Sequence, residues 1–238
     1  MRSFILSAVA VFSFTASSVL GQIADPKITG QHFGWSEAGV PMTDIGGGKY
    51  QYTINGLSPN QRQEFKITSG SWSNTYPSGP NSWYYADANG DITITYDTNS
   101  YSDGWSPTNQ RLNLSHAPTT WTAAGNFQSQ IGGSNWSNSN PSTAMTDIGG
   151  GIYQLDAYLS PGSYEWKAVV TGTWDSISSD GRNVSTANWA FTVGADEFAR
   201  LSVNPLEGSG RVEIVAIPEP ASVALLGLGA MALIRRRR

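Results

Sequence analysis

Few residues in this 238-residue chain are of the types that perform catalysis. It contains two histidines, His32 and His116, and no cysteine, which excludes thiol catalysis, thiolate metal sites and disulfides. Neither histidine belongs to an HExxH or a nucleophile-elbow motif. The sequence therefore predicts a protein that is not an enzyme and that holds no cofactor and no metal.

Two sets of carboxylates nevertheless have spacings that chemistry uses. Glu64 and Glu165 form the kind of pair that glycoside hydrolysis needs, but a lysine follows each of them two residues later on the same strand face, which favours a solvated ionic row. The segment DANGD at residues 87–91 resembles the start of a calcium loop, yet Ile92 and Thr98 stand where such a loop has glycine and glutamate. This segment is predicted to be a hairpin turn.

The elements that position these residues occur twice. The segment MTDIGGG at residues 42–48 recurs at 145–151, EFK at 64–66 is answered by EWK at 165–167, and NSW at 81–83 by ANW at 187–189. Solenoid units are far shorter than this period of about 100 residues. The sequence therefore predicts two tandem domains, residues 22–115 and 116–216.

Alternating polar and apolar residues predict strands within each copy. They occur at residues 50–54, 65–67 and 91–96 of the first copy and at 164–169 and 198–203 of the second. Charged residues make up only 13% of the chain, and 26 glycines supply many turn positions. The predicted fold is all-β, with two tandem immunoglobulin-like β-sandwiches.

Aromatic side chains are candidates for binding sugars, because flat rings stack on sugar faces without needing charge. The repeat sorts them into two groups. Aromatics present in both copies are predicted to lie in the core: Trp72 and Trp174, Trp83 and Trp189, Phe65 and Trp166, and Tyr50 and Tyr153. Aromatics present in one copy are predicted to stack on a glycan: Tyr76, Tyr84, Tyr101 and Trp105.

Tyr84 has a further argument for exposure. It lies between Trp83 and Tyr85 on a predicted strand, where successive side chains point to opposite faces. If Trp83 and Tyr85 face inward, Tyr84 must face outward.

The start of the chain has the pattern of a signal peptide. Residues 1–21 combine Arg2, an apolar run and a series of small residues. The alternative is a buried N-terminal strand or helix.

The end of the chain has the pattern of a membrane anchor. The triplet Pro218, Glu219 and Pro220 precedes an uncharged stretch at residues 223–234, and four arginines follow: Arg235, Arg236, Arg237 and Arg238. Clustered arginines favour the cytoplasmic side of a membrane. The apolar stretch predicts a transmembrane helix, but only 14 residues separate Pro220 from Arg235, and spanning a bilayer takes roughly 20. The alternative is an ordinary apolar helix.

This order of Pro-Glu-Pro, apolar helix and terminal arginines resembles the PEP-CTERM sorting signal. The resemblance implies that a membrane-embedded exosortase recognises the tail and cuts near the motif. It also implies a bacterial host that makes extracellular polysaccharide. The exported protein would be anchored in the membrane by its tail before processing and then belong to the cell envelope or the extracellular space.

Three segments of the second copy occur in a known order: AGNFQSQIG at residues 124–132, PGSYEWK at 161–167 and NWAFTV at 188–193. In this order the second copy resembles the X25-type β-sandwich modules of bacterial pullulanases and amylases. The first copy is more diverged, with an opening strand reduced to residues 28–33. The resemblance implies a β-sandwich fold and assigns no binding residue.

Charge narrows the choice of partner. Without Arg2, Glu219 and the four terminal arginines, the chain has 9 basic and 17 acidic residues, a formal charge of −8, which disfavours nucleic acid. The predicted function is a non-catalytic envelope or matrix protein whose sandwiches bind polysaccharide, either an α-glucan or the cell's own exopolymer. Two alternatives stay open: a structural or adhesive surface protein that binds no glycan, and an accessory part of a glycan-degrading system.

Overall fold

Short antiparallel strands form almost the whole fold. A computed structural model describes residues 22–184 and 186–218. Strands make up 48% of these residues and helices 5%, and the strands form four sheets. The predicted all-β, sandwich-like class is therefore confirmed. The described residues contain no helix that is long and apolar enough to cross a membrane, while the predicted signal peptide and the tail from Glu219 onward lie outside them.

The first half of the fold, residues 22–115, contains two sheets. One has the strand order β2-β1-β5-β6, with β7 also paired to β5, and the other has the order β3-β4-β8-β9. The strands are β1 (Lys27–Gly30), β2 (Val40–Pro41), β3 (Thr43–Gly46), β4 (Lys49–Ile54), β5 (Arg62–Thr68), β6 (Thr75–Tyr76), β7 (Ser82–Tyr85), β8 (Ile92–Ser100) and β9 (Asn109–Leu114). A 3-10 helix at Gln31–Phe33 follows β1, so the opening strand is shorter than predicted.

The second half, residues 116–218, repeats this plan. One sheet has the order β10-β13-β14-β15, with β16 also paired to β13, and the other has the order β11-β12-β17-β18. The strands are β10 (Trp121–Gly125), β11 (Thr146–Asp147), β12 (Tyr153–Ala157), β13 (Gly162–Val170), β14 (Ser176–Ser178), β15 (Gly181–Asn183), β16 (Trp189–Val193), β17 (Glu197–Asn204) and β18 (Ser209–Ala216). The helix α1 (Gln128–Ile131) and a 3-10 helix at Pro141–Thr143 lie between β10 and β11.

Strand register defines which residues of the two halves are equivalent. Glu64 on β5 lies opposite Trp83 on β7, and Glu165 on β13 lies opposite Ala190 on β16. Trp83 therefore corresponds to Ala190, and the predicted equivalence of Trp83 with Trp189 is wrong by one residue. Because a one-residue shift along a strand exchanges its two faces, Trp83 points away from the core of its own half.

Trp83 is instead part of the core of the second half. Its fully buried ring lies with its centroid 6.2 Å from that of Trp121, and its indole N–H donates to the carbonyl of Ser176 at 3.2 Å. The guanidinium of Arg182 lies 4.6 Å from the ring centroid. One large side chain of the first half thus completes the interior of the second.

The contact with Trp83 matters for Arg182 because this cation is buried. Burial lowers the pKa of Arg182 to about 9, so the group keeps its charge at neutral pH. Two of its nitrogens, Nε and Nη1, have no hydrogen-bond partner among the described residues. A cation over an indole face is stabilised by about 2 kcal/mol when water is excluded, so the ring partly offsets the cost of burying the charge.

Hydrogen bonds surround the buried Trp83. The guanidinium of Arg62 donates to both carboxylate oxygens of Asp175 at distances of 2.6–3.2 Å, and the hydroxyl of Tyr85 donates to the same carboxylate at 2.7 Å. At a second point of contact between the halves, Ser106 and Gly210 exchange backbone hydrogen bonds of 2.8 and 2.9 Å. The two halves are therefore joined by polar contacts around an apolar centre.

Candidate functional site

An open groove lies where the two halves meet. One cavity of about 400 Å³ is bounded by residues 77–80 and 106–109 of the first half and by Ser179, Asp180 and Asn183 of the second. A cavity of about 270 Å³ adjoins it beside hairpin residues 72–76. Tyr76, Ser78 and Asn109 line both cavities, so we describe them together as the junction groove.

The lining of the junction groove is polar but almost uncharged. It includes a single carboxylate, that of Asp180, and neither lysine nor arginine. The side chains of Asn74, Ser78, Thr108 and Asn109 make no hydrogen bond within the described part of the chain. Amides and hydroxyls both donate and accept hydrogen bonds, so this lining suits a ligand rich in hydroxyl groups.

Trp72 provides a flat apolar surface at one end of the groove. It stands at the tip of the hairpin between β5 and β6 and is 45% exposed. The hydroxyl oxygen of Thr68 accepts the backbone N–H groups of Gly70 and Ser71 at 3.0 and 3.1 Å, which fixes the path of the hairpin. An exposed indole beside the unpaired amides of Asn74 and Asn109 is the combination of apolar surface and orienting polar groups found in ligand sites.

Lys66 holds residues 77–80, another wall of the groove, in place. Its ammonium donates to the carbonyls of Pro77, Gly79 and Pro80 at 2.7, 2.6 and 3.2 Å, which uses all three of its N–H groups. The side chain is buried, and this burial lowers its pKa. The predicted solvated ionic row is therefore wrong at Lys66, because its ammonium is buried and binds the carbonyls of a loop that lines the groove.

Arg111 holds the loop that contains Trp105 and leads into the wall at residues 106–109. Its guanidinium donates to the carbonyls of Pro107 and Trp105 at 3.0 and 3.1 Å and to the carboxylate of Asp103 at 2.8 and 2.9 Å. Hydrogen bonding to Arg111 lowers the pKa of Asp103. The loop is thus tied to β9 before it contributes residues 106–109 to the groove.

Tyr101 begins this loop and contacts a buried carboxylate. Burial alone would raise the pKa of Asp97, but hydrogen bonds from the Tyr101 hydroxyl, the backbone N–H of Asn99 at 3.0 Å and the Lys49 ammonium at 3.0 Å lower it overall. Asp97 therefore stays ionised in the interior and anchors the start of the loop.

The four predicted stacking residues do not share one surface. Tyr84 is fully buried in the first half, where its ring centroid lies 5.8 Å from that of Phe65 and its hydroxyl donates to Gln63 at 2.8 Å. Burial raises its pKa. The prediction that Tyr84 faces outward is wrong, because its neighbour Trp83 faces the second half and leaves Tyr84 on the core side.

The other three stacking candidates are half-buried. Tyr76 lines the junction groove, with its ring against Tyr96. Arg111 lies 3.9 Å from the ring centroid of Tyr101, and Arg211 lies 4.8 Å from that of Trp105. An arginine therefore covers one face of each of the last two rings. Contact of these three residues with a glycan stays a prediction.

The repeated aromatics also divide in a way that the sequence did not predict. Phe65, Trp166 and Tyr153 are buried, as expected for core residues. Trp72 and Trp174 are 45% and 49% exposed, so their assignment to the core is wrong. Both stand in turns between strands, where no second sheet covers them. The turn residues around Trp72, with Gly70, Ser71 and Ser73 nearby, were the signal in the sequence.

The carboxylates singled out by spacing have structural partners. Glu64 accepts from Arg62 at 2.7 Å and from Asn81 at 2.7 Å. The carboxylate of Asp87 accepts the backbone N–H groups of Asn89 and Asp91 at 2.8 and 2.9 Å. The segment 87–91 connects strands of two different sheets, so it is not the hairpin that was predicted. Within the described ranges, no group of three histidine or carboxylate side chains could hold a metal ion.

The described structure thus defines an all-β protein of sandwich-like sheets, with a polar and almost uncharged groove between its halves. Residues 120–204 match the family model of the pullulanase X25 domain, and residues 216–238 match the PEP-CTERM protein-sorting motif. Both predicted resemblances are therefore confirmed. The sorting motif implies an exported protein directed to the cell envelope.

Two known proteins illustrate the X25 match. The chain is 30% identical over 115 residues to an amylopullulanase of Thermoanaerobacter thermohydrosulfuricus, which covers 47% of this chain and 8% of the relative. A pullulanase from Bacillus acidopullulyticus shares 19% sequence identity at a TM-score of 0.35 over 52% of this chain and 16% of that one. The chain thus spans less than a fifth of either relative. The match is to the accessory X25 domain and not to a catalytic domain.

Proposed function

We propose that this protein is a non-catalytic component of the cell envelope or extracellular matrix that binds polysaccharide, either an α-glucan or the exopolymer of its own cell. The observation that carries the proposal is the junction groove, which combines the exposed indole of Trp72 with unpaired amides and hydroxyls. The X25 match supports it, since a relative that is 30% identical over 115 residues is called an amylopullulanase.

Affinity electrophoresis tests the proposal directly. Residues 22–218 include both cores and every described strand, so this segment is run in native gels that contain amylose, pullulan or the exopolymer. Retarded migration relative to a gel without polysaccharide is the expected result. Unretarded migration in all three gels contradicts glycan binding.

The domain boundaries and the processing route are part of the same proposal. Residues 22–115 and 116–216 are the two domains, and the tail is recognised by an exosortase after serving as a membrane anchor. Replacing Pro218, Glu219 and Pro220 by alanine should leave the uncut chain in the membrane fraction of the native bacterium. Normal trimming of the variant, measured by the mass of the intact protein, would contradict this route.

One observation favours the second candidate, a structural or adhesive protein that binds no glycan. Ile45 and Ile148 occupy the same position in the two Gly-Gly-Gly hairpins and are 50% and 54% exposed. Repeated exposed isoleucines suit contact with protein surfaces. Sedimentation of residues 22–218 tests this: self-association that is lost in an Ile45→Ser/Ile148→Ser variant supports the candidate, and a monomer at every concentration contradicts contact between copies.

A further inference from the structure

We propose that the junction groove binds an uncharged polysaccharide chain, that Trp72 is its stacking residue, and that both halves of the protein form the site. This inference rests on the proposed function, and it adds the location of the site and the class of ligand. Three features of the groove carry it: the identity of its charged groups, the exposure of Trp72, and the origin of its walls.

The charges of the groove select against acidic polysaccharides. A bound uronate would leave water and would meet the carboxylate of Asp180 without any lysine or arginine in the lining. The cations close in sequence to the walls are held elsewhere: Lys66 donates to three loop carbonyls, and Arg111 donates to two carbonyls and a carboxylate. Arg182, next to the wall residue Asn183, is buried against the ring of Trp83 and is not among the residues that line the groove. Desolvating an unpaired charge is costly, so a neutral chain is the ligand that fits.

Trp72 differs from the other exposed tryptophan in what lies beside it. Both Trp72 and Trp174 stand in the equivalent turn and are almost equally exposed. Trp72 lines the groove together with Asn74 and Asn109. Trp174 is not among the residues that line it, and its neighbour Asp175 is bound to Arg62 instead. Trp174 is therefore a control within the same chain, an almost equally exposed tryptophan outside the junction groove.

Residues of both halves form the walls. Loops 77–80 and 106–109 come from the first half, while Ser179, Asp180 and Asn183 come from the second. The backbone bonds between Ser106 and Gly210 join the wall at residues 106–109 to strand β18 of the second half. Since the X25 match covers only residues 120–204, the groove depends on the diverged first half as much as on the matched second half.

The experiment compares variants of residues 22–218 in gels that contain amylose, pullulan, native exopolymer or alginate, the last as an acidic polysaccharide. We expect retardation in at least one uncharged polysaccharide and none in alginate. Trp72→Ala should weaken binding roughly tenfold, as expected for loss of an aromatic stacking surface. Asn109→Ala should weaken it roughly threefold, about the effect of one lost hydrogen bond. Trp174→Ala should stay within about twofold of the wild type, the range of a neutral surface change.

Each outcome decides a different statement. Wild-type binding that Trp72→Ala leaves intact, or that Trp174→Ala weakens equally, overturns the site while the proposed function stands. Retardation in alginate as strong as in the uncharged gels overturns the ligand class alone. Absence of wild-type binding in every gel overturns the proposed function and this inference together. Thermal unfolding of each variant accompanies the gels, and an unchanged midpoint for Trp72→Ala assigns its loss of binding to the ring.

Discussion

Removing the indole of Trp83 should destabilise both halves of the protein at once. This side chain belongs to the first half by sequence, but it is fully buried in the core of the second. Trp83→Ala leaves a cavity beside Trp121 and deprives the buried guanidinium of Arg182 of its aromatic contact.

The expected loss follows from these contacts. Truncating a buried tryptophan to alanine costs about 3–5 kcal/mol, and the lost cation–π contact with Arg182 adds up to about 2 kcal/mol. Whole domains are stable by only about 5–15 kcal/mol. A loss near 5 kcal/mol should lower the unfolding midpoint of a chain of this size by roughly 10–20 °C.

The assay is urea and thermal unfolding of residues 22–218, followed by circular dichroism and tryptophan fluorescence. Trp83→Phe is the graded variant: it keeps a buried ring and loses the hydrogen bond to Ser176, so it should cost less than Trp83→Ala. Trp72→Ala is the matched control, because it removes an exposed tryptophan and should change stability by less than about 0.5 kcal/mol. A loss below about 1 kcal/mol for Trp83→Ala, or a second half that unfolds as in the wild type, refutes the reasoning.

Three further predictions concern single side chains. Lys66→Met removes three hydrogen bonds to loop carbonyls and should cost about 2 kcal/mol in thermal unfolding, whereas Lys167→Met removes one such bond and should cost less; equal losses would contradict the loop-holding role. Tyr84→Phe should lower the free energy of unfolding by about 1 kcal/mol, because the hydroxyl hydrogen bond is lost, and should leave gel retardation unchanged. Weaker binding by this variant would show that Tyr84 contributes to the binding site. The pKa of Asp97 is lowered in the folded state, so its contribution is present above its unfolded pKa of about 3.9 and is lost as the pH falls through the lower folded value. Urea midpoints measured from pH 6 to pH 3 should therefore fall less steeply for Asp97→Asn than for the wild type. Parallel curves for the two proteins would contradict a stabilising role of the ionised Asp97 carboxylate.

Alternation along the chain was sufficient to place strands. The predicted segment at residues 50–54 lies in β4, the segment at 91–96 lies in β8 except for its first residue, and 164–169 lies in β13. Over part of their length, β8 and β13 alternate between buried and more accessible residues, so the period of two is visible in the sequence. The sandwich-like class followed from the same signal.

The sequence could not predict the role of Trp83 because that role depends on contact between the halves. Aligning NSW with ANW matches two tryptophans, but the strand register makes Trp83 equivalent to Ala190. A single residue of misalignment reverses inside and outside on a strand. The same error placed Tyr84 on the surface.

The candidate site was missed for a different reason. The repetition of Trp72 and Trp174 predicts core positions, yet repetition shows only that both copies keep a residue type. Their surroundings differ, since loops from both halves form a groove beside Trp72. Such a groove arises from tertiary contacts between segments far apart in the chain, which a local pattern does not contain.

The correspondence of Trp83 with Ala190 also makes the outward faces of the two halves different. The first half presents Trp83 and Tyr85 to the next unit, whereas the second half presents Ala190 and Thr192, both exposed, at the same places. A further unit stacked in the same way would receive no large side chain from this face. Stacking a unit on this face as the second half stacks on the first would require a bulky aromatic residue at position 190.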